Sequence, residues 1–333
     1  MTNGPFDVLC IGNAIVDVLS RTEEDFLVTE NLDKGAMMLV DTDRSEYLYA
    51  KMQNRIESSG GSAGNTAAGL ASLGANTAYF GKVADDALGA TFQNDMRALG
   101  VHYQTSMLVG GAPTARCMIM ITPDGERTMN TYLGATQELT VDDMDPAIIR
   151  AAEITYMEGY LWDPANAKLA FRRAAEISHS AGKQTAITLS DSFCVGRFRA
   201  EFLELLKSGT IDIVFANDAE LKSLYQTDDL NVAVEAVRSD AKLAAVTMGE
   251  DGSMAISKDE THHSRAYPIS SLEDTTGAGD LYASGFLYGL AKKMPLKSCA
   301  DLGGVAAAEI IQHIGPRPAQ DLKKLAIEAG LIS

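Results

Sequence analysis

The 333-residue sequence predicts an α/β protein, a three-layer α/β/α doubly wound and mostly parallel sheet carrying a small β-rich lid. Three observations predict it. From about residue 151 onward, short apolar runs alternate with helical stretches, the pattern of parallel β-α-β units. Residues 117–132 form two strand-like runs about a Pro-Asp-Gly turn, the pattern of a hairpin. Neither an internal repeat nor a low-complexity linker divides the chain, so one large domain with an inserted lid is favoured over two independent domains.

In chain order, residues 6–11 read as a strand and 65–73 as a helix of small residues. Residues 14–19 and 36–40 are strand-like and can pair beside the hairpin formed by 117–121 and 127–132. The second half then supplies strands at 154–157, 185–189, 211–215 and 243–248, with a return strand at 253–257. Helices at 164–181, around 202–206 and from Asp218 separate them, the first closed by Gly182. Strands this uniformly apolar expect cover on both faces. The body is therefore assigned to residues 1–13, 51–112 and 140–333, and the lid to 14–50 and 113–139.

A hydrophobic fraction of 46% with 22% charged residues is ordinary for a globular protein, and no apolar stretch approaches the length that crosses a bilayer. The N-terminus enters its first strand without a basic or cleavable apolar segment, so a cytoplasmic location is expected. Cys10, Cys117, Cys194 and Cys299 lie far apart, in no disulfide or zinc-finger pattern. A net charge of −17 repels nucleic acid and anionic lipid, and neither is expected as a partner. An anionic ligand must then be held by local groups.

The strongest of these is DTTGAGD at residues 274–280, followed by Leu281, Ala283, Phe286, Leu287 and Leu290 at helical spacing. Gly277 and Gly279 let backbone N–H groups approach an anion, Ala278 stands between them, and the helix N-terminus adds unpaired donors. It matches neither a P-loop nor a dinucleotide fingerprint, which would need a glycine at Tyr282. An acid directly after such a turn has a use as the base that takes a proton from an attacking hydroxyl, which points to Asp280. Taken alone, the motif is also readable as a glycine-rich helix start with Asp280 as its cap.

Asn217 and Glu220 open a helix at the end of a strand, where ligands of open α/β sheets gather. Glu220 suits a hydrated magnesium ion, and the pair is equally readable as an Asn-capped helix. Thr247, Gly249 and Gly252 form a turn that either reverses the chain or admits a nucleotide's phosphates. Asp17, after the first strand, and Gly61 with Asn65, at the next helix start, supply the paired acceptors and donors that sugar hydroxyls need, or serve as turn and cap residues. Arg127 begins the second hairpin strand, where a guanidinium could reach a phosphate across a closed site.

Gly61 with Asn65, Asn217 with Glu220, residues 247–252 and DTTGAGD, in this order, resemble the ribokinase-like (PfkB) family of carbohydrate and nucleoside kinases, over essentially the whole chain. One departure is Ala84, where the family often has glycine, with an expected effect on packing only. The resemblance implies an ATP-dependent kinase with an alcohol acceptor, with Asp280 as base and Gly277, Ala278 and Gly279 as anion hole. It implies Asn217, Thr247, Gly249 and Gly252 around ATP, Glu220 near Mg2+, Asp17, Gly61 and Asn65 on the acceptor's hydroxyls, and Arg127 on the phosphoryl group in flight. A potassium ion (K+) near the anion hole and a monomer or homodimer are further implications.

Within the family the chain looks most like adenosine kinases, which implies transfer to the 5′-hydroxyl of adenosine and a place in purine salvage. Asn13 with Asp17, the segment GAMMLV at 35–40, Cys117, and LGA at 133–135 fall where that subgroup faces its substrate. Met37, Leu39, Cys117, Leu133 and Ala135 would form an apolar, adaptable wall for a purine, or be ordinary lid core. A sugar kinase of the ribokinase or fructokinase type is the alternative.

Overall fold

The computed structural model describes residues 5–333, so the first four residues assigned to the body lie outside it. Its larger sheet has nine strands, in the order Thr261–Ser264, Ser253–Ser257, Leu243–Thr247, Ile213–Asn217, Gln184–Thr188, Ala152–Glu158, Phe6–Ile11, Thr77–Phe80 and His102–Tyr103. The first two run antiparallel at one edge, and the remainder pair in parallel.

Alternate residues of each parallel strand enter opposite layers, because side chains point to opposite faces with a period of two. Val8, Cys10, Ile154, Tyr156, Ile213 and Phe215 pack on one side, with the helices Ser62–Ser72, Ala278–Ala291 and Leu296–Ile310. Leu9, Ile11, Met157, Val214 and Val246 pack on the other, with Ala165–Ser180, Ser192–Lys207, Asp218–Tyr225 and Leu230–Asp240. The expected cover on both faces is present, and each fully buried Phe or Leu contributes about 1.5–3 kcal/mol. One helix contact matters most for the site. A Cβ on Gly69 would lie 2.4 Å from Ser284 Oγ, so Ser62–Ser72 and Ala278–Ala291 meet nearly backbone to backbone.

The smaller sheet runs Met37–Leu39, Arg127–Tyr132, Ala115–Ile121, Ile15–Arg21 and Ile56–Ser59. The hairpin forms in the expected place, with Gly125 in the left-handed region and its N–H donating to Thr122 O. Two features differ from the sequence expectation. Ile56–Ser59 pairs with Ile15–Arg21, so the body does not resume at residue 51. That edge strand is short and mostly polar, and its one large apolar residue, Ile56, is exposed, so it has no amphipathic signature. The lid segment also holds two helices, Glu24–Thr29 and Thr42–Lys51, whose Leu27 and Leu48 pack with Val16, Val18, Met118 and Met120 on one face of the sheet. Ala84 is buried and bridges to Leu108, a packing position as expected. No helix of the described residues is long and apolar enough to cross a membrane.

Candidate active site

Asp274 organises the glycine turn from within. Its Oδ1 accepts Thr276 N–H at 3.0 Å and its Oδ2 accepts Gly315 N–H at 3.1 Å, tying the turn to the loop after Leu296–Ile310. Gly277 then takes φ +80°, a left-handed backbone that L side chains resist, and starts the helix Ala278–Ala291. A Cβ there would also press on Pro316 at 3.1 Å. Ala278 N–H turns back to Thr275 O, while Gly279 stands exposed in the first turn. The helix start presents backbone N–H groups where the sequence expects an anion hole, with that of Ala278 turned to Thr275 O.

Asp280 does not cap its own helix. Its Oδ1 accepts Ser62 Oγ at 2.6 Å and its Oδ2 accepts Asn65 Nδ2 at 2.9 Å, both from the facing helix. The close contact at Gly69 makes this reach possible. Burial pushes the Asp280 pKa up to about 6, opposed by the two hydrogen bonds and by the charge of Arg317. Such a carboxylate is ionised at neutral pH and close to the value at which a base works best.

Around it gather the N-terminal residues. Gly61 has φ +81°, and a Cβ there would lie 2.2 Å from Asn13 O, so these two backbone segments touch. Asp17 is buried, its carboxylate against Gly60, and burial raises its pKa to about 6 despite Arg317 and Arg127. Glu158, only 1% exposed at the end of its strand, accepts Asn13 Nδ2 at 2.7 Å, Asn13 N–H at 3.2 Å and Ala63 N–H at 2.9 Å. Burial lifts its pKa to about 7. The Oδ1 atoms of Asn13 and Asn65 are buried with no partner, two acceptors suited to hydroxyl donors. Sequence reasoning missed Ser62, Glu158 and Arg317. Of these, only Glu158 carried a signal, a lone acid ending the apolar run ITYM.

Along the same rim of the sheet, Asn217 and Thr247 are paired neighbours. Asn217 caps its helix by accepting Glu220 N–H, while Glu220 accepts Asn217 N–H at 3.0 Å and Asn217 Nδ2 at 2.6 Å. Both carboxylate oxygens of Glu220 thus face Asn217, and burial raises its pKa to about 7. Among the described residues no group of three or more His, Cys, Asp or Glu converges on one point. A single acid, largely buried against Asn217, fits a magnesium ion that keeps its hydration shell, and does not fit a dehydrated one. Gly249 and Gly252 both have positive φ, and Met248 N–H closes the turn on Gly252 O.

Arg127 crosses from the smaller sheet to the glycine turn. Its Nη1 lies 2.9 Å from Asp274 Oδ2, with both side chains about 10% exposed, yet Nη1 and Nη2 are buried without an aligned hydrogen bond. The site-facing side of that sheet is arranged in rows. Asp17, Cys117, Thr131 and Leu39 stand side by side, and the next row is Leu19, Ile119, Met129 and Met37. Met37 and Leu39 are exposed and Leu133 is partly so, whereas Ala135 is fully buried in a 3-10 turn, its N–H on Pro113 O.

The four raised carboxylates predict a pH dependence of stability. Unfolded, they ionise near 3.8 (Asp17, Asp280) and 4.5 (Glu158, Glu220), below their folded values. Their stabilising contribution is complete below the unfolded values and is lost as pH rises through about 6 and 7. The thermal midpoint of the ligand-free protein is expected to fall between about pH 5.5 and 7.5. A flat or rising midpoint in calorimetry over that range would mean that these groups are already ionised in the fold.

Comparison with known proteins returns one family model, the pfkB family carbohydrate kinases, matched over residues 7–322. The adenosine kinase of Saccharomyces cerevisiae is 28% identical over 93% of this chain and 96% of its own. Two solved structures superpose over nearly the full length. A probable sugar kinase protein from Rhizobium etli has TM-score 0.92 and 52% identity, covering 99% of this chain and 100% of that one. The adenosine kinase from Sinorhizobium meliloti has TM-score 0.90 and 54% identity, covering 98% and 100%.

Proposed function

The chain belongs to the pfkB family of carbohydrate kinases and is an ATP-dependent kinase, and from that premise we propose that its acceptor is adenosine, converted with ATP to AMP and ADP. The observation that carries this reading is the paired rows on the smaller sheet. Asp17 offers a carboxylate to ribose hydroxyls, and the apolar row Leu19, Ile119, Met129 and Met37 beside it offers a flat face to a purine. A free sugar would leave that wall uncovered. The 54% identity to the Sinorhizobium meliloti adenosine kinase supports the same reading.

In this mechanism Asn13, Asp17, Gly61 and Asn65 hold the ribose so that its 5′-hydroxyl faces Asp280. Ionised Asp280 takes the hydroxyl proton as the oxygen attacks the γ-phosphorus, and the bond to the β-phosphate oxygen breaks to release ADP. The Gly277 to Gly279 N–H groups and Arg127 stabilise the charge on the phosphoryl group. Thr247, Gly249, Gly252 and Asn217 line the ATP side. Glu220 and Asn217 would hold the water shell of a magnesium ion, which would offset phosphate charge. For potassium, Asp274 is an oxygen donor of the right kind at the turn, and the ion would serve to fix that turn. The proposed setting is the cytoplasm, with no nucleic-acid or membrane partner and a monomeric or homodimeric enzyme.

A second reading, a free-sugar kinase, is favoured by the 52% identity to the Rhizobium etli probable sugar kinase. An acceptor panel with Mg-ATP separates them. Adenosine is expected to exceed ribose and fructose by about 100-fold or more in kcat/KM. Turnover of ribose or fructose without turnover of adenosine overturns the first reading and leaves the second.

A further inference from the structure

The molecule has few cations near its transfer site, and one of them is engaged by no acid. Arg317 comes from the loop after Leu296–Ile310, between two prolines. Its Nε donates to Ser59 O at 3.0 Å, its Nη1 to Gly64 O at 2.5 Å, and its Nη2 to Ser59 O at 2.8 Å and Ser59 Oγ at 3.1 Å. All of these acceptors are neutral. No carboxylate of the described residues lies within ion-pair distance of it, so its charge is hydrogen-bonded but not cancelled.

The segment it grips runs through the site. Gly60 touches the Asp17 carboxylate, and Ser62 and Asn65 hold the two oxygens of Asp280. Arg317 therefore lies across one short stretch of backbone from both acids, and its field acts on each. The loop that delivers it is pinned twice more. Glu309 Oε1 accepts Ala319 N–H and Gln320 N–H, and Asp274 accepts Gly315 N–H. A charge held this rigidly does not reorganise as the reaction proceeds, which is what an electrostatic role demands.

We propose that Arg317 is a positioning residue of the transfer site, an uncancelled cation that holds the Ser59 to Asn65 segment in place and keeps Asp280 ionised while it faces the acceptor. The proposal rests on the reading of Asp280 as base. Two consequences follow from position alone. Arg317 reaches the site from behind the segment and touches no acceptor, so its loss acts through Asp280 and Asp17. Lysine keeps the charge and loses the forked hydrogen bonds, whereas glutamine and methionine lose the charge.

The groups facing Asp280 are Arg317, Asp17, Glu158, Tyr156 and Tyr160, and those facing Arg317 also include Asp95 and Tyr79. The acids among them are unfavourable to a charged Asp280; the Ser62 and Asn65 hydrogen bonds oppose its burial most, and Arg317, which grips the segment carrying both donors, is the one cation that adds to them. The test is the pH profile of kcat/KM for the wild type and for Arg317→Met, Arg317→Gln and Arg317→Lys, using adenosine or whichever acceptor the panel identifies. The acid limb is expected to move up by about one unit in the Met and Gln variants and to stay near its wild-type position in the Lys variant. An unmoved limb in Met and Gln, an equal movement in Lys, or failure of all three to fold would each overturn the proposal in favour of a purely architectural arginine. Should one neutral variant fail to fold, the other carries the comparison. Asp280→Asn is run beside them. Wild-type turnover in that variant overturns the base itself, whereas an inactive Asp280→Asn with an unmoved Arg317 limb overturns only the role of Arg317.

Discussion

Replacing Asp280 with asparagine is expected to lower kcat by about 10²- to 10⁴-fold while leaving the affinity for ATP largely intact. The carboxylate sits where two donors, Ser62 and Asn65, fix its orientation, and burial brings its pKa to about 6. Asparagine keeps the shape and an acceptor for Ser62 but cannot take a proton at neutral pH. Asn65 has an unpartnered Oδ1, so a flip of its amide accepts the new side-chain N–H and spares the fold. Removal of a desolvated carboxylate relieves its own burial cost and its repulsion with Asp17, and Arg317 keeps its neutral acceptors, so the thermal midpoint should hold or rise. The backbone donors at Gly277 to Gly279 are untouched, which is why ATP binding survives. Wild-type-like turnover in this variant would refute Asp280 as the base.

Arg127→Ala is the second large effect, a loss of about 10²- to 10³-fold in kcat with a smaller change in KM for the acceptor. In the structure its guanidinium is spent on Asp274, inside the glycine turn, and to meet a phosphate it must exchange one anion for another. That makes its contribution specific to the charged, phosphate-bearing states. The turn itself should outlast the mutation, because Thr276 and Gly315 N–H groups still hold Asp274. A rise confined to KM would show that the arginine only helps to dock the ground state. Lysine should restore little, since a point charge does not reproduce the fork.

Much of this was legible in the sequence. The parallel body could be read because strands such as IVFA and LAAV are buried on both faces and carry no competing pattern. The hairpin could be read because a turn residue, Gly125, stands where the chain needs a positive φ. Ile56–Ser59 could not, since an exposed edge strand of polar residues has no side-chain period to show. At the site, the glycine turn and its acid were plain, but that Asp280 turns away from its own helix start toward Ser62 and Asn65, more than 200 residues distant in sequence, was not. Arg317 was hidden for a related reason. Its importance lies in the neutral carbonyls of Ser59 and Gly64 around it, and no local spacing announces a tertiary contact. Ala135 was placed on the purine wall by its neighbourhood, whereas the 3-10 turn that follows Leu133 tucks it fully inside.

The two sheets divide the work by chain segment. The residues proposed to face the acceptor's base, among them Met37, Leu39, Cys117 and Met129, stand on the smaller sheet, whereas Asn217, Thr247 and Asp280 stand at the rim of the larger one. The base-facing set falls between Leu19 and Leu133 and the second set between 217 and 280, with Arg127 the phosphate-side group proposed on the smaller sheet. Changes on one sheet face, with Arg127 kept, would therefore alter what is phosphorylated while residues 217–280 keep the phosphate side.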